Sequence, residues 1–104
     1  MTVKILVADD EQEIRDLLDN FLKEQGYEVI LASDGEQALQ LAETENPQAI
    51  ILDVRMPGLD GLEVCKRLKE KEETKFIPVI FITGFEDNKL NALDMGADDF
   101  VNKP

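Results

Sequence analysis

The sequence predicts an α/β domain in which a parallel sheet is covered by helices on both faces. Short apolar runs recur at Val3–Ala8, Val29–Ala32, Ala49–Leu52 and Val79–Ile82, with a weaker fifth at Phe100-Val101. Segments with helical spacing separate them, and Gly or Pro closes those segments. Strand–helix alternation at this spacing implies right-handed crossovers between parallel strands.

Ile14, Leu17, Leu18, Phe21 and Leu22 mark a first helix, stopped by Gly26. Ala38, Leu39, Leu41 and Ala42 mark a second, which ends before Pro47. Leu62, Cys65 and Leu68 mark a third, and Leu90, Leu93 and Met95 a fourth that Gly96 closes. Two start signals agree with this division: Ser33-Asp34-Gly35-Glu36 has the form of a capping box, and Asp60-Gly61-Leu62-Glu63 offers a second cap. Cys65, spaced with Leu62 and Leu68, reads as a packing residue.

The run Ala49-Ile50-Ile51-Leu52 is apolar at every position and leads straight into Asp53. A short run without alternation is the mark of a central strand buried on both faces. The turn Met56-Pro57-Gly58 follows, so one carboxylate is presented where the chain leaves the sheet.

Composition narrows the class. A chain of 104 residues with 43% hydrophobic content is expected to form one domain over residues 1–104. No apolar run approaches the ~20 residues that span a bilayer. The lone cysteine excludes an internal disulfide, which together with the short N-terminal run points to a cytoplasmic setting. A net charge of −12 argues against direct nucleic-acid binding and suits divalent cations or a basic protein surface. With no histidine in the chain, His metal sites, Ser-His or Cys-His catalysis and a histidine phosphodonor role are all excluded.

In a parallel sheet every strand's carboxyl end opens on one edge, and ligands bind there. The residues following the runs are Asp9-Asp10, Ser33, Asp53, Thr83 and Asn102-Lys103. Two carboxylates about 4 Å apart repel by about 4 kcal/mol at an effective dielectric near 20. Either one acid takes up a proton or a cation sits among them. An all-oxygen donor set favours a hard ion, Mg²⁺ or Mn²⁺, completed by a phosphate oxygen. A carboxylate nucleophile, a metal, a lysine and a hydroxyl are the parts that phosphoryl transfer to an aspartate requires.

Asp9-Asp10, Leu52 through Gly61, Ile82-Thr83-Gly84 and Lys103-Pro104 together resemble the signature of response-regulator receiver domains of two-component signalling. The resemblance covers the whole chain, with its motifs in order. It implies a flavodoxin-like fold, a doubly wound five-stranded parallel sheet in the order 2-1-3-4-5. It further implies that Asp53 is the phosphoacceptor. Mg²⁺ would be held by Asp10, Asp53 and the backbone carbonyl of Arg55, with Asp9 acting through water. Thr83 resembles the switch hydroxyl, Phe100 the switch aromatic, and Lys103 the lysine that contacts the phosphoryl group, placed by a cis bond to Pro104. Arg55 and Phe85, two residues after Asp53 and Thr83, are expected to flank that group and slow its hydrolysis.

The implied function is Mg²⁺-dependent transfer from a phosphohistidine on a sensor histidine kinase or a histidine phosphotransfer protein. The product switches a surface of the fourth helix and fifth strand, which changes partners or dimerises. An output domain is a further expectation, and no membrane or direct nucleic-acid partner is expected. The family continues through a fifth helix beside the first, so the chain reads as truncated before it, with apolar surface left uncovered. The alternative is a receiver-fold binding module that acts without phosphorylation. A phosphatase with an aspartate nucleophile needs a second acid at position 55, where Arg stands, and Asp9-Asp10 would repel the phosphate of a flavin. Locally, Asp10 with Glu13, and Thr83 with Glu86, could also be plain helix caps.

Overall fold

A computed structural model describes residues 2–83 and 99–102 of the chain. The elements are β1 (Lys4–Ala8), α1 (Gln12–Glu24), β2 (Glu28–Ala32), α2 (Gly35–Glu45), β3 (Ala49–Asp53), α3 (Gly61–Glu70), β4 (Val79–Thr83) and β5 (Asp99–Asn102). The strands form one sheet in the order β2-β1-β3-β4-β5, and each neighbouring pair is parallel. The expected architecture and strand order are both present. The fourth helix expected around Leu90, Leu93 and Met95 lies outside the described residues, as do Phe85, Lys103 and the bond to Pro104.

Strand periodicity divides the core in two. Leu6 and Ala8 of β1 point to one face and Ile5 and Val7 to the other, as alternation along a strand requires. The first face packs against Ala38 and Ala42 of α2 and Val64, Cys65 and Leu68 of α3. The second packs against Leu18 and Leu22 of α1. Cys65 is fully buried and serves packing, as its spacing predicts. Leu17 and Phe21 of α1 stay exposed.

The helix ends follow from local chemistry. Gly26 has φ +92°. Its N–H donates to Lys23 O at 3.0 Å, while Tyr27 N–H donates to Leu22 O at 3.1 Å, the bond pair of a Schellman motif. α2 ends on Asn46 in the left-handed region, immediately before Pro47. Its start differs by one residue from the expected capping box. Asp34, not Ser33, is the cap and accepts from Gln37 N–H at 2.8 Å. Gln37 Oε1 in turn accepts from Ser33 N–H at 2.7 Å.

Asp60 caps α3 as expected, with Oδ1 accepting from Glu63 N–H at 2.9 Å. Asp60→Ala is therefore expected to cost about 1 kcal/mol. A thermal melt should show this as a Tm lower by roughly 4–8 °C. An unchanged Tm would mean that the cap contributes nothing.

Candidate functional site

β1 and β3 are neighbours at the centre of the sheet, with Ala8 opposite Leu52. Residues just beyond their ends are therefore brought side by side. Carboxylate oxygens of Asp9, Asp10 and Asp53 lie within 4.8 Å of one another. Asp9 and Asp53 are buried at 0% and 1% exposure, their Oδ2 atoms included. Asp10 is exposed. The cluster thus has a closed floor and one acid open to solvent.

Each buried acid is held by backbone. Asp9 N–H donates to Ala32 O of β2 at 3.1 Å. Asp9 Oδ1 accepts from Glu11 N–H at 2.8 Å, an Asx turn that leads into α1. Arg15 Nη1 donates to Asp9 O at 2.7 Å. Asp53 Oδ1 accepts from Arg55 N–H at 3.3 Å. Behind it, Val54 N–H donates to Ile82 O at 3.2 Å and Val54 O accepts from Gly61 N–H at 2.9 Å. A Cβ on Gly61 would run into the Asp53 carbonyl and stand 3.0 Å from Val54 Cα. Only glycine lets α3 begin this close to the acid.

The plain capping reading of Asp10 with Glu13 is not what is found. The N-cap of α1 is Glu11, without a side-chain cap bond. Ser33, expected on the same rim, has its hydroxyl turned to Gln37 at 3.2 Å and serves the start of α2. Thr83 ends β4, one residue past Ile82, which is opposite Asp53. Asn102 is opposite Thr83, and Phe100 opposite Phe81. The strand ends carrying Asp53, Thr83 and Asn102 therefore open on the same edge. The side chains of Thr83 and Phe100, and Lys103 altogether, lie outside the described residues.

Two contributors have roles that the sequence did not reveal: Arg15 lies outside every motif, and Gly61 stands in one without its role being legible. Arg15 reaches the site from the second turn of α1, and Gly61 acts by lacking a side chain. The Asp60-Gly61 pair signals a turn, but only the packing shows what the glycine avoids.

The donor set fits a hard divalent cation. Three carboxylates this close repel strongly without a counter-charge, and they offer only oxygen. The chain has no histidine, and its single cysteine is buried in the core beneath α3.

Comparison with known proteins bears on this arrangement. The family model described as the response regulator receiver domain matches residues 5–104. The chain belongs to the response-regulator receiver domains. Over 106 residues this receiver domain is 48% identical to the alkaline phosphatase synthesis transcriptional regulatory protein PhoP of Bacillus subtilis, covering 100% of the chain and 43% of PhoP. A transcriptional regulator of Cyanophora paradoxa, ycf27, is 46% identical over 97% of the chain and 42% of its own length. The receiver domain thus spans less than half the length of these relatives. Among solved structures, the chemotaxis protein CheY4 of Vibrio cholerae superposes with a TM-score of 0.92 at 33% identity, covering 100% of this chain and 88% of that one. The receiver domain of a sensor histidine kinase from Pseudomonas aeruginosa also gives 0.92, at 30% identity over 100% and 87%, and carries a magnesium ion coordinated in its active-site cleft. Among the described residues, no helix of the receiver domain is long and apolar enough to cross a membrane.

Proposed function

We propose that this receiver domain accepts a phosphoryl group on Asp53 from a phosphohistidine of a sensor histidine kinase or histidine phosphotransfer protein. The observation that carries the proposal is the Asp53 carboxylate, held at the end of a central strand with oxygens within 4.8 Å of Asp9 and Asp10. Mg²⁺, or Mn²⁺ in its place, would be held by Asp10, Asp53 and the Arg55 carbonyl, with Asp9 acting through water. When bound, the ion supplies positive charge against the phosphoryl oxygens.

Asp53 supplies the nucleophile. A carboxylate oxygen attacks phosphorus, the P–N bond to the donor imidazole breaks, and the electron pair leaves with the nitrogen. The Arg55 amide at Oδ1 and the backbone bonds of Val54 fix the orientation of the carboxylate before the donor arrives. Lys103 and Thr83 are assigned contacts with the transferred group, and Arg55 with Phe85 the shielding of it from water. The product carries about one more negative charge than the carboxylate it replaces. That charge draws Thr83 inward, Phe100 follows, and the surface of the fourth helix and β5 changes partners or dimerises. The domain acts as a signalling module in the cytoplasm, not as an enzyme with a separate substrate. It binds neither nucleic acid nor membrane directly, and the remainder of a longer chain, as in PhoP, would carry the output.

The test is incubation with acetyl phosphate and Mg²⁺ followed by intact mass measurement. A phosphate-sized adduct is expected on the wild type and none on Asp53→Asn. Absence of the adduct from the wild type would favour a binding module that acts without phosphorylation. An adduct on both proteins would place the acceptor elsewhere.

A further inference from the structure

We infer that Arg15 is a positioning residue for the metal site, clamping the peptide that joins Asp9 to Asp10. The inference rests on the proposed cation site and adds a residue from α1 to it. Arg15 Nη1 donates to Asp9 O at 2.7 Å, and that carbonyl belongs to the peptide bond from which Asp10 hangs. The same residue, Asp9, is tied through its N–H to Ala32 O at 3.1 Å and through Oδ1 to Glu11 N–H at 2.8 Å. Asp9 is thus held on three sides, and Arg15 supplies the restraint on the side facing Asp10.

Asp10 needs that restraint more than its neighbours do. Asp9 and Asp53 are buried and packed, whereas Asp10 is exposed. Its place within 4.8 Å of the other two carboxylates depends on the plane of its preceding peptide. The cap of α1 supplies no side-chain bond of its own. The guanidinium near the start of the helix therefore links helix to strand end through one short bond from Nη1.

The electrostatic consequence has the opposite sign, which makes the inference testable. A positive charge beside three carboxylates competes with an incoming cation, so removing it would on Coulombic grounds tighten Mg²⁺ binding. Loss of the clamp spreads Asp10 over several positions and weakens binding. The clamp is the larger effect here, because Arg15 bonds a carbonyl and no carboxylate contact from it is needed to hold the loop.

Titration calorimetry of MgCl₂ into wild type, Arg15→Ala and Arg15→Lys decides the matter, with melting of each metal-free protein alongside. Arg15→Ala is expected to bind Mg²⁺ roughly tenfold more weakly, the lower end of the scale for one lost charge-assisted hydrogen bond. Arg15→Lys, which keeps the charge and one donor, is expected to recover part of the loss. Equal or tighter binding by Arg15→Ala would overturn the inference, as would a lowered Tm with unchanged affinity, which marks a purely structural contact. No Mg²⁺ binding by the wild type would instead bring down the metal site itself, and the inference with it.

Discussion

The Gly61→Ala protein is expected to be less stable than wild type by about 3 kcal/mol or more, the upper range for an overpacked site. The added methyl would meet the Asp53 carbonyl and press on Val54 Cα at 3.0 Å. These are backbone atoms of a central strand and cannot turn aside as a side chain tip would. Val54 is also bonded on both sides, to Ile82 O and from Gly61 N–H, so the strain spreads into β4 and the start of α3. For a domain of this size the Tm should fall by roughly 12 °C or more. Gly58→Ala is the control. Gly58 has φ +76° but open space around its Cβ position, so only backbone strain of about 1 kcal/mol is expected. If the two variants melt together, the close approach of α3 to the acid is not what position 61 protects.

The second large effect is a metal-dependent gap between wild type and Asp53→Asn. Without divalent ions, three carboxylates with oxygens within 4.8 Å repel one another. Each pair contributes about 3 kcal/mol at an effective dielectric near 20. Solvent at Asp10 screens part of this, so the Asn variant is expected to be the more stable by about 1–2 kcal/mol in EDTA. Saturating Mg²⁺ reverses the contributions. At about 100 times its Kd it stabilises the wild type by about 2.7 kcal/mol. The variant, with one ligand charge fewer, gains less, and the gap narrows. Denaturant titrations with and without Mg²⁺ read both quantities. A wild type already more stable in EDTA, or equal gains from Mg²⁺, would contradict the crowded-carboxylate account.

Much of this arrangement was legible in the sequence because it is periodic or punctuated. Unbroken apolar runs announced β3 and its neighbours. Gly26 and Pro47 marked where α1 and α2 stop, and Asp60 marked where α3 starts. Since parallel strands share a carboxyl edge, knowing the runs was enough to bring Asp9, Asp10 and Asp53 together. What escaped has no repeat to betray it. Whether Ser33 or Asp34 caps α2 turns on which side chain meets the amide of Gln37, and the two neighbours are both good caps. Ser33 falls on the rim by position because it follows β2, yet its hydroxyl faces Gln37. The Arg15 link depends on a long side chain reaching back across a turn, and the role of Gly61 on a backbone contact eight residues away from Asp53. Neither leaves a trace in spacing.

The ladder behind the Asp53 carboxylate has one more consequence. Val54 is pinned to the next strand through its amide and to the following helix through its carbonyl, so the floor beneath Asp53 behaves as a fixed anvil. Bulk added to that side chain meets a strand held from both sides, so its accommodation falls to parts of the site other than β3.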